Sequence, residues 1–305
     1  MKSVVRERWV SSAIALIGIF AVAGVVLSGC APAPDSDQPA AEPAAEPAAE
    51  PAAEPAAEPA AEPAAEPATE PAAASDPSAT PKVSSFAPAE DLVSQMAEYI
   101  QDLEDVVEAE EDYNDSEDKI LRGASTVAVI ALALGLHDQD NAHKANASEL
   151  IKAAQDLAKT QDYTSAKAGV AAVKTAAAQD SNPGELKWEK VAELPALMKQ
   201  VPLVNTKLKR YIKGSRFQSK SKDTAGFTAV IAAIAQGTLG DASQAENEQQ
   251  IAQWRAFSAQ MRDAAGEVNA AIHALDENAA TAAMVKLQQS CEDCHAIFHI
   301  VEEEE

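Results

Sequence analysis

One segment near the end of the chain constrains the fold more than any other, because it places two cysteines within a helical apolar pattern. Cys291-Glu-Asp-Cys294-His295 lies in a stretch that contains neither Pro nor Gly. The cysteines and the flanking Leu287 and Phe298 follow one another at steps of four, three and four residues, so they share one face of an α-helix. Both thiols are therefore predicted to face a helical core.

The pentad has the C-x-x-C-H spacing that attaches haem covalently. Two thiols one helical turn apart can reach the two vinyl groups on one edge of a porphyrin, and the imidazole after the second Cys then lies beneath the iron. We expect one covalent haem c, joined to Cys291 and Cys294, with His295 as the proximal iron ligand. A zinc site, a redox dithiol and a plain disulfide are the alternatives. Zinc needs four ligands, a thioredoxin-type dithiol needs a βαβ context, and a disulfide leaves His295 without a role.

The composition favours packed helices and argues against one class of partner. The chain of 305 residues is rich in Ala, with 4% aromatic residues and only 12 Gly. Its net charge of −24 would repel a polyanion, so nucleic acid is not expected as a partner. At this length the chain can hold two domains.

The N-terminal residues have the pattern of an export signal. Basic residues at the start are followed by an apolar run over residues 9–27. The sequence Leu-Ser-Gly-Cys30 then resembles the bacterial lipobox, where cleavage leaves a lipidated cysteine at the new N-terminus. We expect a signal peptide over residues 1–29 and a lipid on Cys30. An uncleaved membrane anchor is the alternative, because the apolar run is nearly long enough to span a bilayer.

Residues 30–86 are predicted to form a tether. They contain Ala-Ala-Glu-Pro repeats with glutamates in phase from Glu42 to Glu70. Pro at every fourth position prevents a helix. A Pro-rich, like-charged segment favours an extended conformation of ~3.1 Å per residue, so the segment would reach on the order of 100 Å. It is interpreted as a spacer that holds the body away from a membrane; a disordered tail without a role is the alternative.

The rest of the chain shows apolar residues at helical spacing in two successive sets of four segments. Ser148 is a candidate N-cap for the third helix, and Asn182-Pro183-Gly184 separates the two sets. The predicted helices cover residues 91–109, 116–135, 146–157, 165–179, 188–213, 224–237, 247–275 and 277–300.

The two sets read as an internal duplication. The sequence Ala-Val-Ile-Ala occurs at residues 128–131 and again at residues 229–232. Leu92 and Met96 precede the first occurrence at nearly the offset at which Leu194 and Met198 precede the second. Aligning the last helices of the two sets places Gln179 opposite Cys291 and Asn182 opposite Cys294. Residues 87–182 are therefore predicted to form a haemless domain, and residues 183–305 the haem-binding domain.

Four helices with C-x-x-C-H near the end of the last one resemble the cytochrome c′ family, also called class II cytochromes c. The resemblance covers residues 187–299 with the motif and residues 87–182 as a degenerate copy. It implies an all-α chain of two tandem antiparallel four-helix bundles, the C-terminal one carrying haem c. The family motif usually continues to an aromatic residue and an Arg; here Phe298 matches the aromatic residue and His299 replaces the Arg. Pro202 is expected to kink the first helix of that bundle or to delay its start.

The same resemblance places a side chain from the first helix over the distal face of the haem. Met198 lies on the apolar stripe of that helix and is the candidate for the sixth iron ligand. The alternative is that Met198 only fills the core, and Met96 at the matching position of the haemless copy supports that interpretation. Met261 and Leu197 are weaker candidates for the distal side.

The remaining histidines and charges have weaker interpretations. His273 is expected to be half-exposed, and no role is predicted for His137 or His143. One basic cluster is either a solvated loop or a docking surface for an acidic redox partner, lipid head groups or the tether. It comprises Lys207, Lys209, Arg210, Lys213, Arg216, Lys220 and Lys222.

Electron transfer is the expected function, because no acid, base or nucleophile constellation accompanies the haem motif. The chain is thus predicted to be an exported, membrane-anchored mono-haem cytochrome and not an enzyme. The alternative is a five-coordinate haem that binds or detoxifies small gases such as nitric oxide. The expected partners are a redox protein that the sequence does not specify and a membrane, reached through the lipid anchor, and a homodimer is left open.

Overall fold

The computed structural model describes residues 81–179, 181 and 184–298, and throughout this part the regular structure is helical, with no strand. The all-α prediction is thereby confirmed. Cys30 and His299 lie outside the described residues. A 3-10 turn (Val83–Ser85) is followed by α1 (Ala89–Val106), α2 (Glu110–Asn114), α3 (Glu117–Gly135), α4 (Ala147–Leu157), α5 (Tyr163–Ala178), α6 (Leu194–Tyr211), α7 (Ser215–Ser219), α8 (Ser221–Thr238), α9 (Glu248–His273) and α10 (Glu277–Phe298).

The eight long helices correspond to the eight predicted ones, with differences at their ends. Helix α6 begins at Leu194 instead of residue 188, with Pro195 in its first turn, where a missing N–H does no harm. It continues through Pro202. The predicted cap Ser148 was wrong, because Asn146 is the N-cap residue of α4 and Ser148 lies inside the helix.

Helices α3 and α8 lie at the centre of the described structure. Every residue from 123 to 134 in α3 and from 224 to 236 in α8 is buried. A helix without a polar face must be covered on all sides. Accordingly α3 contacts α1, α4, α6 and α8, and α8 contacts α1, α6, α7 and α9.

The outer helices complete this arrangement. Helix α5 packs on α4 and α1, and α10 packs along α9. All described residues belong to a single compact unit. Among the helices of this part, none combines the length and apolar character needed to cross a bilayer.

A buried polar cluster joins α1 to α8 and α9. The Asn269 side chain donates to Asp91 Oδ2 at 2.8 Å and to the Ala225 carbonyl at 2.9 Å, and its Nδ2 lies 3.2 Å from Thr228 Oγ1. His273 Nε2 lies 2.8 Å from the same Asp91 oxygen. Because buried polar groups need partners, these bonds fix how the first and second sets of helices meet. His273 is partly exposed, as predicted.

The segment before α1, residues 83–87, is also held in place by hydrogen bonds and burial. Ser84 donates its N–H and its hydroxyl to the two oxygens of Asp138, and these bonds lower the pKa of that carboxyl to about 2. His137, for which no role was predicted, is buried and its Nε2 bonds to the Ala87 carbonyl at 3.0 Å. Phe86 is buried as well. The packed part of the chain therefore includes the end of the range assigned to the tether.

We expect Asn269→Ala to lower the free energy of unfolding by about 2–3 kcal/mol, because the buried Asp91 carboxyl loses a hydrogen-bond donor. Urea unfolding followed by circular dichroism measures the change. Asn278→Ala, at an exposed position of α10, is the matched control and should change little. Equal stability of the two variants would show that the cluster does not hold the helices together.

Candidate functional site

A cavity of about 290 Å³ lies between α6, α9 and α10 beside the last residue of α8. Four structural elements contribute to its wall. The lining residues are Met198, Val201, Pro202, Asn205, Thr206 and Lys209 from α6, Thr238 from α8, Trp254, Phe257, Ser258 and Met261 from α9, and Gln288, Ser290, Cys291, Cys294 and His295 from α10.

The predicted attachment residues come together here. Cys291, Cys294 and His295 all line the cavity, and the two thiols are not joined by a disulfide. Leu287 and Phe298 on the same helical stripe are buried, which confirms that the cysteines lie on the inward face of α10. The cysteines are partly buried and His295 is exposed, so this wall is at the edge of the core.

Both thiols favour their neutral form. Burial raises the pKa of the Cys294 thiol to about 11, and the adjacent Cys291 adds to the effect. Burial also raises the pKa of Cys291, although a hydrogen bond with Ser290 and the positive charge of Lys209 oppose the increase. Redox-active cysteines have a lowered pKa instead. The environment of the pair therefore argues against a thioredoxin-type dithiol.

Two methionines line the cavity from other helices. Met198 on α6 and Met261 on α9 are both partly buried, and each could present its sulfur to a group held by α10. Leu197, the third distal candidate, is buried in the main core and does not line the cavity. Met96, at the matching position of the first set, is completely buried in that core.

Two aromatic side chains of the cavity wall, Trp254 and Phe257, pack against Phe298. The rings of Trp254 and Phe298 meet edge to face with centroids 5.2 Å apart, and Phe257 lies 6.4 Å from Phe298. Trp254 Nε1 donates to the Thr238 carbonyl at 2.8 Å, which fixes the indole against the end of α8. Leu194 and Met198 pack on this group. This part of the wall is thus apolar, as most of the lining of a ligand pocket is.

The α6 wall also carries polar side chains. Asn205 Nδ2 donates to Gln288 Oε1 at 3.3 Å, and its Oδ1 is buried without a hydrogen-bond partner. Lys209 follows one helical turn later. Sequence reasoning missed Asn205 and treated Lys209 only as part of the basic cluster. Trp254 and Phe257 lie in the predicted helix over residues 247–275, where no role was predicted for them.

A second group of ligand-type side chains lies outside this cavity. Glu90, Asp91 and His273 have oxygen or nitrogen atoms within 4.8 Å of one another. The Asp91 oxygen in this group already bonds to Asn269 and His273. Hydrogen bonding between helices accounts for this arrangement.

The residues of the cavity fit a covalently bound haem. Two thiols one turn apart can attach a porphyrin, an imidazole can bind its iron, and the sulfur of one of the two methionines could be the second axial ligand. A volume of 290 Å³ is at the lower end for ligand pockets, so a porphyrin would extend to the surface, where His295 lies. No protein-family model, curated protein or solved structure matches the chain.

In the haem-free chain, we expect the thiol of Cys294 to react slowly with iodoacetamide. A pKa of about 11, against an ordinary value of 9.0, leaves roughly a hundredfold less thiolate near pH 7.5. A chain in which Cys30 and Cys291 are replaced by Ser isolates this thiol, and the same chain in urea is the control. The folded rate should still rise above pH 9.5; a plateau below pH 9 would contradict the burial of this thiol.

Proposed function

We propose that the chain is a membrane-anchored mono-haem c-type cytochrome, similar to cytochrome c′, that transfers electrons. One observation carries the proposal. Cys291, Cys294 and His295 line a single cavity whose other walls include Met198 and Met261. The sequence motif involves only residues of α10. That methionines from α6 and α9 line the same cavity is independent support for a metal-centred cofactor.

The side chains have distinct roles in this proposal. Bound haem supplies an iron that alternates between its ferric and ferrous states. Cys291 and Cys294 hold it by thioether bonds, and His295 is the proximal ligand. Trp254 and Phe257 contribute apolar surface to the cavity. The exposed position of His295 leaves the attachment edge close to solvent, where a redox partner protein can approach.

The proposed site belongs to the second of two tandem four-helix bundles. The first bundle, α1 with α3, α4 and α5, has no counterpart of the cysteines and packs against α6 and α8. It acts as a structural support for the haem bundle. Cys30 carries the lipid, and the Ala-Glu-Pro repeats form the spacer. Failure of a fatty-acid probe to label the wild-type chain in cells would refute the lipid anchor.

A five-coordinate haem that binds small gases is the second candidate. Met198 packs on the cluster of Leu194, Trp254 and Phe298, and a side chain with such contacts can fill the core without binding iron. In that case the distal position is open to carbon monoxide or nitric oxide.

Covalent haem is the first test. Wild-type protein made with the haem-attachment machinery should keep its haem through acid–acetone extraction, because thioether bonds survive this treatment. The double variant Cys291→Ser with Cys294→Ser should lose it. Haem that extracts from the wild type would refute the attachment.

The distal ligand is the second test. If Met198 binds the iron, the wild type is low-spin and binds carbon monoxide slowly, and Met198→Ala binds it rapidly. Met261→Ala is the matched variant on α9 and should leave the spectrum low-spin. Absorption spectra of the reduced proteins with and without carbon monoxide distinguish the cases. Rapid binding by the wild type would exclude methionine ligation and favour the gas-binding function.

A further inference from the structure

Helices α1 and α6, which begin the two sets, differ in the residues along one face. Leu92 and Met96 of α1 match Leu194 and Met198 of α6, and the same spacing continues to three further pairs. The pairs are Ile100 with Pro202, Leu103 with Asn205 and Val107 with Lys209. The aliphatic members are buried, with exposed fractions of 9%, 2% and 5%. Their counterparts on α6 all line the cavity.

Asn205 lines this cavity and has unused hydrogen-bonding capacity. Its Oδ1 is buried without a partner, and its Nδ2 makes only the 3.3 Å bond to Gln288. A buried polar atom without a partner is destabilising. Half a turn of the amide exchanges the two atoms, so Asn205 can offer either a donor or an acceptor to a group in the cavity.

Lys209 brings an unpaired cation to the same wall. Among the described residues no carboxylate lies within 4.0 Å of its ammonium. Other exposed lysines, such as Lys199 and Lys207, also lack such a partner, but Lys209 differs from them in lining the cavity. Its charge acts on the Cys291 thiol across the cavity. In a chain with a net charge of −24, an unpaired lysine beside an unpartnered amide points to a binding role.

We infer that Asn205 and Lys209 form an anion site on the α6 wall, which binds a carboxylate of the group that occupies the cavity. The inference rests on the proposed haem, whose ring carries carboxylate side chains. Lys209 neutralises the charge and Asn205 donates a hydrogen bond, a pairing that is strong because the acceptor is ionised. A free anion from solution is the other source of the same chemistry.

The reduction potential of the holoprotein tests the site. Lys209→Met should lower the potential relative to the wild type, because an unbalanced negative charge stabilises the ferric iron. Lys209→Arg keeps the cation and should restore most of the difference. Lys207→Met is the matched control: Lys207 lies nearly on the opposite side of α6, over the ring of Phe227 at 5.2 Å and outside the cavity.

The second measurement separates the two sources of the anion. The potential is recorded against inorganic phosphate at constant ionic strength. No response in the wild type, together with the lowered potential of Lys209→Met, assigns the site to the haem carboxylate. A saturable response that Lys209→Met removes supports an anion site filled from solution.

Two outcomes would overturn the inference. Equal potentials for Lys209→Met and Lys207→Met, with no phosphate response, would show that Lys209 is an ordinary surface charge. The proposed function would then still stand, provided that the wild type carries covalent haem. A wild-type chain without covalent haem would refute both proposals.

Discussion

Helices α3 and α8 have no polar face over most of their length, and the remaining architecture follows from the need to cover them. One amphipathic helix can cover only one side of such a helix, so each requires several neighbours. Both are rich in Ala, which lets the neighbours approach closely. At Gly237 the side chain of Val129 lies so near that an added Cβ would be 3.2 Å from it. The two sets of helices therefore share one interior, because α3 and α8 also cover each other.

The cavity lies beside the end of α8, where its fully buried stretch stops. The continuously buried stretch of α8 stops at residue 236, and Thr238 two residues later belongs to the cavity wall. Beyond this point α8 no longer lies between α6 and α9, which both pack against it. The space between them is the cavity, lined by Met198, Met261 and the two cysteines. A binding site at this position does not interrupt the packing around α3 and α8.

Much of the helical structure could be predicted, because apolar periodicity over long segments is a strong signal. Helices α2 and α7 were missed since five residues are too few to show a period. The site was predicted in so far as it depends on the spacing within α10. Asn205 was not found, because a polar residue on an amphipathic helix looks like part of the solvated face. The contact between Asp91 and Asn269 joins residues 178 positions apart, and nothing local in the sequence indicates it.

The pinned entry of the chain has a mechanical consequence. A pull on the N-terminal side of residue 83 would be borne first by the bonds from Ser84 to Asp138 and from His137 to Ala87. Phe86 adds a second hold, since its backbone lies against Gly266 of α9 and its ring stacks near the Arg262 guanidinium at 5.6 Å. The load is thus shared between α3 and α9 and does not peel α1 from its end. A pulling force on this segment would therefore act on both sets of helices at once.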